Sequence, residues 1–579
     1  MNNRTPKFNE AIEEILQGLK PHQKKCQECG NSFDVMVEDI EFYKKMQVPP
    51  NNLCFFCTMQ KLASSRYGFV PVFYKKSCAV SGHQEKIIAM YAEENPVKVY
   101  DDSYYLSDQW DAEDFGITYN VVEDFFEQYK NFALAVPHQS LFKDPQSVNS
   151  DYVIAGKEIK DCYYCTIAIN SEKVYYSFLP VGVKDSVSLS DIQNSEQCYD
   201  CIDGNRLYKC IFCIESSNCM ESSFLYDCKN CQNCFMSANL RNKSFVFRNQ
   251  QLDKSEYQEK MKEINLGKRS EYAECQKEFQ RLIKNSIKKK LRIIKSENCF
   301  GDNIISSKNC FYTSRVFKCE NIRYGMSFTD SQDLMSCFGG LGTSLAYMVT
   351  AFYDSNNIKF CSAVRNLVDC EYCFECNNCE NCFACFGLKN KKYYIFNKSY
   401  SEDEYWQRVD ELKTKMLEKG EYGEFLPMQH HPLPYQDSAA QAIFPLSEEE
   451  IKNKRWHWQD KVESEIDLTK IKTVLSEDIP DDIKDVDDNI LRTPVICKKT
   501  GRPFKILPYE LRFYRQMNLP LPSLHPEERF KEKFIFKPVY NITFYNTHCA
   551  KCRKEIKTVH NPEETENIYC EKCYNREVE

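Results

Sequence analysis

An internal duplication constrains the fold of this chain more than any other feature. The stretch "ECNNCENCFACFGLKNKKYYIFNK" matches "YDCKNCQNCFMSANLRNKSFVFRNQ" 148 residues earlier, so that Cys376 corresponds to Cys228. The same offset aligns Asp333 with Asp185 and continues without a gap over roughly 95 residues. This register predicts that a folded unit has been duplicated.

Short apolar or cysteine-containing runs such as "DSVSLS", "QCYDCI" and "YKCIFCI" recur about every 12 residues inside each copy. Asn, Asp, Ser and Gly separate them, and these residues favour tight turns. Short strands at a steady spacing predict a β-solenoid, best interpreted as a parallel β-helix, in which each coil is buried by the next. An ordinary β-sandwich is the alternative. Asp253 with Glu256, and Ser401 with Glu404, have the spacing of helix capping boxes and predict a helix after each copy.

A basic segment lies between the two copies, inside a stretch that reads as helical. The chain's net charge of −8 excludes a uniformly basic nucleic-acid binder, so any phosphate-binding surface must be local. A solvated helix face is the simpler interpretation of such a segment, but it is also a candidate nucleic-acid contact. Its residues are Lys284, Lys288, Lys289, Lys290, Arg292 and Lys295.

A second duplication joins the two ends of the chain. "CQECGNSFDVMVEDIEFYKKMQVPP" from Cys26 resembles "CKKTGRPFKILPYELRFYRQMNLPL" from Cys497, at an offset of 471. The segments that follow, beginning near Cys78 and Cys549, also correspond. Each terminus is therefore predicted to carry a tandem pair of similar modules. We number the four modules in chain order, from the first at Cys26 and the second at Cys78 to the third at Cys497 and the fourth at Cys549.

Two of these four modules carry complete sets of metal ligands. Paired CxxC motifs present four thiolates to one tetrahedral ion, which is the pattern of a zinc ribbon. We predict two structural Zn²⁺ sites, because four protein ligands leave no position open for water. The ligands are Cys26, Cys29, Cys54 and Cys57 at one end, and Cys549, Cys552, Cys570 and Cys573 at the other.

The other two modules have lost ligands. One keeps Cys78 but has Ser81 in place of its next cysteine. The other keeps Cys497, with Thr500, His525 and Glu528 at the remaining ligand positions, and is expected to be a metal-free relic. A weak site of Cys497, His525 and Glu528 with an open position is the alternative.

The row of cysteines at every third position is interpreted as packing, because buried free cysteine behaves as a small hydrophobe. Its duplicate replaces three of the six thiols with Ser222, Leu225 and Ser237. A zinc or iron–sulfur site on the retained trio, or a redox role, remains open. The row consists of Cys370, Cys373, Cys376, Cys379, Cys382 and Cys385.

Together these patterns predict a multidomain, β-rich chain with tandem zinc-ribbon-like modules at both termini, flanking a duplicated cysteine-rich β-solenoid with helical insertions. The predicted segments are an N-terminal tandem module (1–145), solenoid half 1 (146–251), a helical basic insert (252–298), solenoid half 2 (299–399), a helix and acidic linker (400–490), and a C-terminal tandem module (491–579). The 32 cysteines without an apolar signal core favour a reducing cytoplasm over secretion. No uncharged run is long enough to suggest a membrane span.

Several motifs are familiar as a series, among them "LSDQWDAEDFG", "RIIKSENCFGD", "CENCFACFGLKNKKYYIFNK" and "FPLSEEEIKNKRWHWQD". They resemble a family of large, uncharacterised zinc-ribbon, cysteine-rich repeat proteins of Candidate Phyla Radiation bacteria, over nearly the whole chain. The resemblance implies the architecture and a bacterial cytoplasmic setting. Some members carry an automated CaiB/BaiF-type CoA-transferase label, but no motif here supports acyl-CoA chemistry.

The function expected from these features is a non-catalytic zinc-binding scaffold or adaptor that contacts RNA, the ribosome or a protein assembly. One alternative is an enzyme acting on a solenoid face, on polysaccharide or by acyl transfer, with Asp185, Asp333 and Asp330 as candidate carboxylates. Another is a purely structural assembly protein. No nucleophile–base pair or small-molecule site is identifiable, and His430 with His431 is expected to be structural.

Overall fold

The computed structural model describes residues 4–460, 471–535 and 543–579. Two compact units are each assembled from segments that are far apart in sequence. Of the described residues, one unit contains 4–140 and Arg292–Asp460, and the other contains Leu141–Leu291, 471–535 and Thr543–Glu579. Residues 461–470 of the predicted acidic linker, and 1–3 and 536–542 of the predicted terminal modules, lie outside the described residues.

The helices are short, and most of them lie outside the cysteine-rich segments. They are α1 (Pro6–Gln17), α2 (Val37–Met46), α3 (Phe55–Ser64), α4 (Asp102–Leu106), α5 (Phe125–Ala135), α6 (Lys254–Lys262), α7 (Arg269–Asn285), α8 (Glu402–Glu418), α9 (Ala439–Ile443), α10 (Glu448–Asn453), α11 (Pro508–Met517), α12 (Pro526–Ile535) and α13 (Glu571–Glu577). Single 3-10 turns occupy Ala112–Phe115, Met428–His430, Tyr435–Asp437, Ile483–Asp485 and Asp488–Leu491.

The strands are mostly four residues long. Before α6 they are β1 (His22–Lys25), β2 (Ser32–Val35), β3 (Tyr74–Ser77), β4 (Lys86–Ala89), β5 (Val99–Tyr100), β6 (His138–Gln139), β7 (Val153–Ile154), β8 (Cys165–Thr166), β9 (Glu172–Tyr175), β10 (Phe178–Val181), β11 (Lys184–Val187), β12 (Ser190–Gln193), β13 (Ile202–Asn205), β14 (Ser223–Tyr226), β15 (Gln232–Ala238), β16 (Ser244–Phe247) and β17 (Gln250–Gln251).

The strands after α7 complete the set. They are β18 (Lys288–Lys289), β19 (Ile293–Ile294), β20 (Phe300–Ile305), β21 (Lys308–Phe317), β22 (Glu320–Thr329), β23 (Gln332–Met335), β24 (Phe338–Leu341), β25 (Ser344–Tyr347), β26 (Thr350–Tyr353), β27 (Asn356–Lys359), β28 (Ser362–Arg365), β29 (Val368–Glu371), β30 (Glu380–Phe383), β31 (Lys392–Ile395), β32 (Lys398–Ser399), β33 (Val474–Leu475), β34 (Val495–Ile496), β35 (Pro503–Phe504), β36 (Tyr545–His548), β37 (Glu555–Thr558) and β38 (Ile568–Tyr569).

Parallel pairing with a step of 12 residues organises both cysteine-rich segments. In the first segment β12 pairs with β13 so that Ser190 lies opposite Ile202. In the second, β23 pairs with β25 so that Gln332 lies opposite Ser344. We call these segments ladder 1 (β7–β16) and ladder 2 (β19–β31). The recurrence expected from the sequence is present, and a β-sandwich of antiparallel hairpins does not describe these ladders.

The backbone repeats every three residues within each 12-residue step. From Ala155 to Phe245, and from Asn303 to Phe396, every third residue has a positive φ. Asn and Asp are frequent there because they tolerate the left-handed region better than other non-glycine residues. Most residues at the position next after a left-handed one, such as Cys370, are buried. The three-residue spacing of the cysteines is therefore the spacing of the buried positions.

Side chains on successive steps support one another. On ladder 2, Asn309 donates to Asn321, whose amide donates in turn to Asp333. At a half-buried position, a Cβ on Gly340 would lie 2.1 Å from the ring of Phe352, which is 12 residues later. A larger residue at Gly340 is excluded because the ring fills that space.

Both ladders end alike. An antiparallel strand, β17 or β32, closes each one. The helices α6 and α8 then begin at the predicted capping boxes, with Asp253 accepting from the backbone of Glu256 and Ser401 from that of Glu404. These two helix starts are confirmed.

The predicted helical basic insert is only partly helical. Helix α7 ends at Asn285, and Lys288–Lys289 form β18, which pairs with β38 of the C-terminal module. The helix ends where Ile287 N–H donates to the Asn239 side chain of ladder 1, so tertiary contacts override the helical pattern.

Three of the four terminal modules share one loop geometry at their first cysteine. In the first and third modules, the N–H of Gly30 donates to Cys26 O and that of Gly501 to Cys497 O, each at 2.9 Å. In the fourth, Arg553 N–H donates to Cys549 O at 2.9 Å. The module at Cys497, which has lost its other ligands, has therefore kept the loop backbone that positions them.

Each unit carries one pair of modules on one ladder, through equivalent contacts. Tyr43 meets Tyr347 edge to face at 6.0 Å and 81°, while Tyr514 meets Tyr199 at 5.6 Å and 84°. These pairs are related by both sequence offsets, because 514 − 43 = 471 and 347 − 199 = 148. The N-terminal modules pack on ladder 2 and the C-terminal modules on ladder 1, so the two units repeat one design.

Candidate metal centres

The first quartet combines a hairpin loop with a helix N-terminus. Cys26 and Cys29 lie between β1 and β2, and Cys54 and Cys57 lie at the start of α3. One ligand atom from each of the four lies within 4.8 Å of all the others. Hydrogen bonds from the Cys57 thiol and backbone outweigh burial and lower the pKa of Cys54 to about 5. A sulfur that deprotonates readily is suited to binding a metal ion.

The second quartet repeats this arrangement at the other end of the chain. Cys549 and Cys552 lie between β36 and β37, and Cys570 and Cys573 lie at the start of α13, with their sulfurs again within 4.8 Å. Burial would raise the pKa of Cys549, but backbone N–H groups, led by that of Cys570, lower it to about 6. Both quartets can therefore hold a metal ion in a four-sulfur site.

The third module holds an ion pair where the quartets bring sulfurs together. Glu528 lies 2.8 Å from the ammonium of Lys499 and 2.9 Å from that of Lys531. The Cys497 sulfur accepts a hydrogen bond from the backbone N–H of His525 at 3.2 Å. Burial and the nearby Arg502 lower the pKa of the His525 ring to about 4. Cys497, His525 and Glu528 do not form a ligand cluster among the described residues.

The second module is stabilised by a lysine. Cys78 is buried, and Lys76 donates to the carbonyl oxygens of Ala92, Glu93 and Asn95 at 2.7–3.4 Å. These carbonyls belong to the loop that follows β4. An ammonium thus ties that loop to the hairpin in a module that has lost its second cysteine.

The cysteine row is sealed inside ladder 2. Its six thiols are 0–2% exposed and lie in one apolar cluster. Each sulfur is 3.3–3.6 Å from the carbonyl oxygen two residues earlier and 3.3–3.8 Å from the one nine residues later. Burial raises the pKa of Cys376 well above its usual value. Thiols that donate to backbone carbonyls in an apolar core act as packing groups.

The predicted basic cluster is divided between surface and interior. Lys288 is 6% exposed, and its ammonium donates to Ile283 O and Ser286 Oγ while lying 3.6 Å from the ring centroid of Tyr226. Burial lowers its pKa to about 8. It is not accessible to a phosphate in this structure.

The other members of the cluster differ in exposure. Lys289 pairs with Glu571 at 3.3 Å, and Arg292 pairs with Asp302 at 3.4 Å. Lys284 and Lys295 are exposed, and Lys290 is half-buried. The six residues therefore do not form one exposed patch.

The candidate carboxylates occupy left-handed ladder positions and pair with lysines. Asp333 lies 3.0 Å from Lys45, and Asp185 lies 4.0 Å from Lys173. Asp330 lines an open groove of about 890 Å³ on ladder 2, where it lies 3.8 Å from Lys318. Their φ values of 42–54° show that turn geometry alone accounts for aspartate at these positions.

The two other candidate histidines hold backbone structure. His431 Nε2 donates to Leu426 O, and burial lowers its pKa to about 3. His430 lies 3.0 Å from Glu127.

Sequence reasoning missed the acidic residues that fix the modules to the ladders. Tyr324 donates to Asp39 at 3.1 Å, and Tyr176 donates to Glu510 at 3.0 Å. Glu510 lies 471 positions after Asp39, and Tyr324 lies 148 positions after Tyr176. The acids and tyrosines recur at both offsets, so the sequence did contain a signal for these contacts. However, neither offset shows which terminal module packs on which ladder.

Within the described ranges, no helix combines the length and apolarity needed to cross a membrane. No protein-family model matches this chain, and no curated protein matches it.

Proposed function

We propose that this protein is a non-catalytic scaffold or adaptor in which zinc-stabilised modules are mounted on two β-solenoid halves. The observation that carries the proposal is the repeated docking pair, Tyr43 on Tyr347 and Tyr514 on Tyr199. Buried aromatic contacts of this kind hold each module in place on its ladder. Each of the two units holds its modules in place on a ladder. A chain built in this way is suited to positioning the partners that its modules bind.

Each ladder is proposed to be a solenoid whose 12-residue coil has four sides of three residues. Three features support this: a parallel step of 12 that holds everywhere except at the start of ladder 2, where it is 11, a left-handed residue at every third position, and buried residues at the same spacing. The left-handed residues would form the corners, and the buried ones would point inward. In the second ladder, the coil that contains Cys370, Cys373, Cys376 and Cys379 would then have four inward thiols.

Each quartet is proposed to hold Zn²⁺ in a structural role. Four sulfurs within mutual reach satisfy the tetrahedral coordination of zinc and leave no position for a substrate. The free energy of metal binding would be coupled to folding of these small modules. We place the protein in the cytoplasm, where its 32 cysteines would stay reduced.

Zinc content tests the metal part of this proposal. We expect two zinc ions per chain for the natural protein and one each for Cys29→Ser and Cys552→Ser. Cys78→Ser removes a cysteine, equivalent to Cys549, from a module without a quartet, and this variant should retain both ions. Iron in place of zinc, or no loss in either quartet variant, contradicts the assignment.

Crosslinked capture from native cells, scored for RNA and protein together, tests the scaffold. A reproducible RNA, ribosomal or protein partner that is reduced in the quartet variants is the expected result. If no macromolecule is captured, a purely structural assembly role replaces the adaptor. If turnover of a polysaccharide or acyl donor is found and is lost in Asp185→Asn with Asp333→Asn, the proposal is wrong.

A further inference from the structure

The loop of the fourth module differs from those of its three relatives at the surface. In the other modules a glycine occupies the left-handed position: Gly30, Gly82 and Gly501, with φ of 71–87°. The fourth has Arg553 there, with φ 63°. An arginine in this conformation costs about 1 kcal/mol relative to glycine, so the fold alone does not favour it.

Other exposed cations surround Arg553. The segment from Tyr545 to Thr558 contains four basic residues and one acid, Glu555, which gives it a net charge of +3 (4 − 1). The basic residues, all exposed, are Lys551, Arg553, Lys554 and Lys557. Lys551 lies 3.3 Å from Glu577 at the end of α13.

These cations flank an open depression on the β36–β37 hairpin. Its volume is about 650 Å³, and its lining includes Asn546, His548, Glu555 and Lys557. Asn546 pairs with Lys557, and His548 with Glu555, so these four side chains share one exposed face of the hairpin. The face offers hydrogen-bonding groups beside a positively charged loop.

A need to neutralise the charge of the metal site does not explain the positive charge of this segment. Four thiolates around a divalent ion leave a net charge of −2, which nearby cations would offset. However, the first module also has a complete quartet and carries Glu28, Gly30 and Asn31 at the positions of Lys551, Arg553 and Lys554. A quartet in this fold therefore does not require cations at these positions.

We propose that this loop and hairpin face bind the phosphate backbone of a nucleic-acid strand, an inference that rests on the proposed adaptor function and names its partner. Guanidinium and ammonium groups neutralise phosphates and release counterions, which makes binding depend on salt rather than on sequence. The depression is lined by residues of the two strands that the loop connects, so a backbone could follow this exposed face toward the loop. The exposed Glu563, Glu564 and Glu566 of the following loop would limit the contact on that side.

The test uses the full-length zinc-loaded protein with fluorescein-labelled U12 RNA and T12 DNA, titrated at several salt concentrations. The variant is Arg553→Gly with Lys554→Ser and Lys557→Ser. The control, Lys260→Ser with Lys262→Ser and Lys277→Ser, makes the same charge change at exposed lysines that pair with glutamates on α6 and α7. Zinc content and melting temperature verify that each variant is folded.

The natural protein and the control are expected to bind with equal affinity. The loop variant should bind at least about tenfold more weakly at low salt, with the slope of log K against log salt reduced by about 2. Arg553→Gly alone should weaken binding without lowering the melting temperature, because glycine suits that backbone. Preference for U12 over T12 would identify RNA as the natural form.

Equal binding by the loop variant and the natural protein overturns this inference, and so does the absence of binding to either strand. In those cases the adaptor proposal stands if capture from cells still yields a protein partner through the quartets. It fails separately if nothing is captured.

Discussion

His138 and Glu375 form an ion pair sealed inside the first unit, with Nδ1 2.8 Å from Oε1 and side-chain exposures of 0% and 2%. The other ring nitrogen lies 2.9 Å from Ala133 O. Both ring nitrogens face oxygen atoms, an arrangement that favours the imidazolium form, in which both carry hydrogen. Burial alone would lower the pKa of His138, but Glu375 and the carbonyl outweigh it and raise the pKa above its usual value.

This pair predicts a pH-dependent contribution to stability. Because the folded-state pKa is raised, the contribution is complete below the unfolded pKa of about 6.5 and is lost as pH rises through the folded value. His138→Gln should lower stability by about 3–5 kcal/mol at acidic pH and by less at alkaline pH. Thermal melting from pH 5.5 to 9 measures this.

The comparison must be made as a difference from the natural protein. The pKa values of His430, His431, His457 and His525 are lowered on folding, so these residues have the opposite pH dependence. Tyr105 and the Gln139 N–H also face Glu375 and remain in the variant. His22→Gln, at an exposed site, should give a curve parallel to that of the natural protein; a parallel curve for His138→Gln would contradict the assignment.

A third metal site should be recoverable in the third module. Its loop keeps the hydrogen bonds of the first module, with Lys498 N–H donating to Ser523 O at 3.0 Å as Gln27 N–H donates to Asn52 O at 3.1 Å. Replacing Thr500, His525 and Glu528 by Cys would add three sulfurs beside Cys497 and should raise zinc content by one ion per chain. Adding Cys497→Ser to the same protein should lower affinity for the new ion sharply. A folded triple variant that gains no zinc contradicts the expected loop geometry.

The proposed inward and outward positions of ladder 2 can be tested by replacing each of two alanines, in separate variants, with glutamate. Ala346 is fully buried, whereas Ala363 is half-buried at a left-handed position. Ala346→Glu places an unpaired carboxylate in the core and should destabilise the unit by several kcal/mol, about 3 or more. Ala363→Glu should change the melting temperature little. Equal effects at the two sites would rule out the proposed inward and outward positions.

Tyr347 offers a change that should not destabilise the docking contact. Its ring is fully buried against Tyr43, yet within the described structure its hydroxyl has no hydrogen-bond partner. Tyr347→Phe should be neutral or stabilising by about 1 kcal/mol, while Tyr347→Ala should cost about 3–5 kcal/mol. Tyr372→Phe is the matched control, because its hydroxyl bonds Gly423 N–H and Glu424 O, and it should cost about 1–2 kcal/mol. Denaturant midpoints measure all three.

The features that could be predicted from the sequence are those that depend on the spacing of residues close together in the chain. The 12-residue step follows from the recurring runs, the two quartets follow from their CxxC pairs, and the helix starts follow from Asp253 and Ser401. The spacing of residues along the chain could not reveal that Lys288 lies over the ring of Tyr226. The burial of Lys288 depends on which face of ladder 1 the strand β18 crosses. Nor could it reveal that Asp39 meets Tyr324, since duplication relates copies without pairing them.

The crossed assignment of modules to ladders has a consequence for synthesis of the chain. Tyr43 leaves the ribosome 304 residues (347 − 43) before its partner Tyr347, which is about 15–60 s at ordinary elongation rates. During that interval the docking surface of the N-terminal module has nothing to cover it. Ladder 1 waits similarly for the last module to be translated. An ion bound at the first quartet would stabilise the module during that time, so the quartet would act in biogenesis as well as in the finished protein.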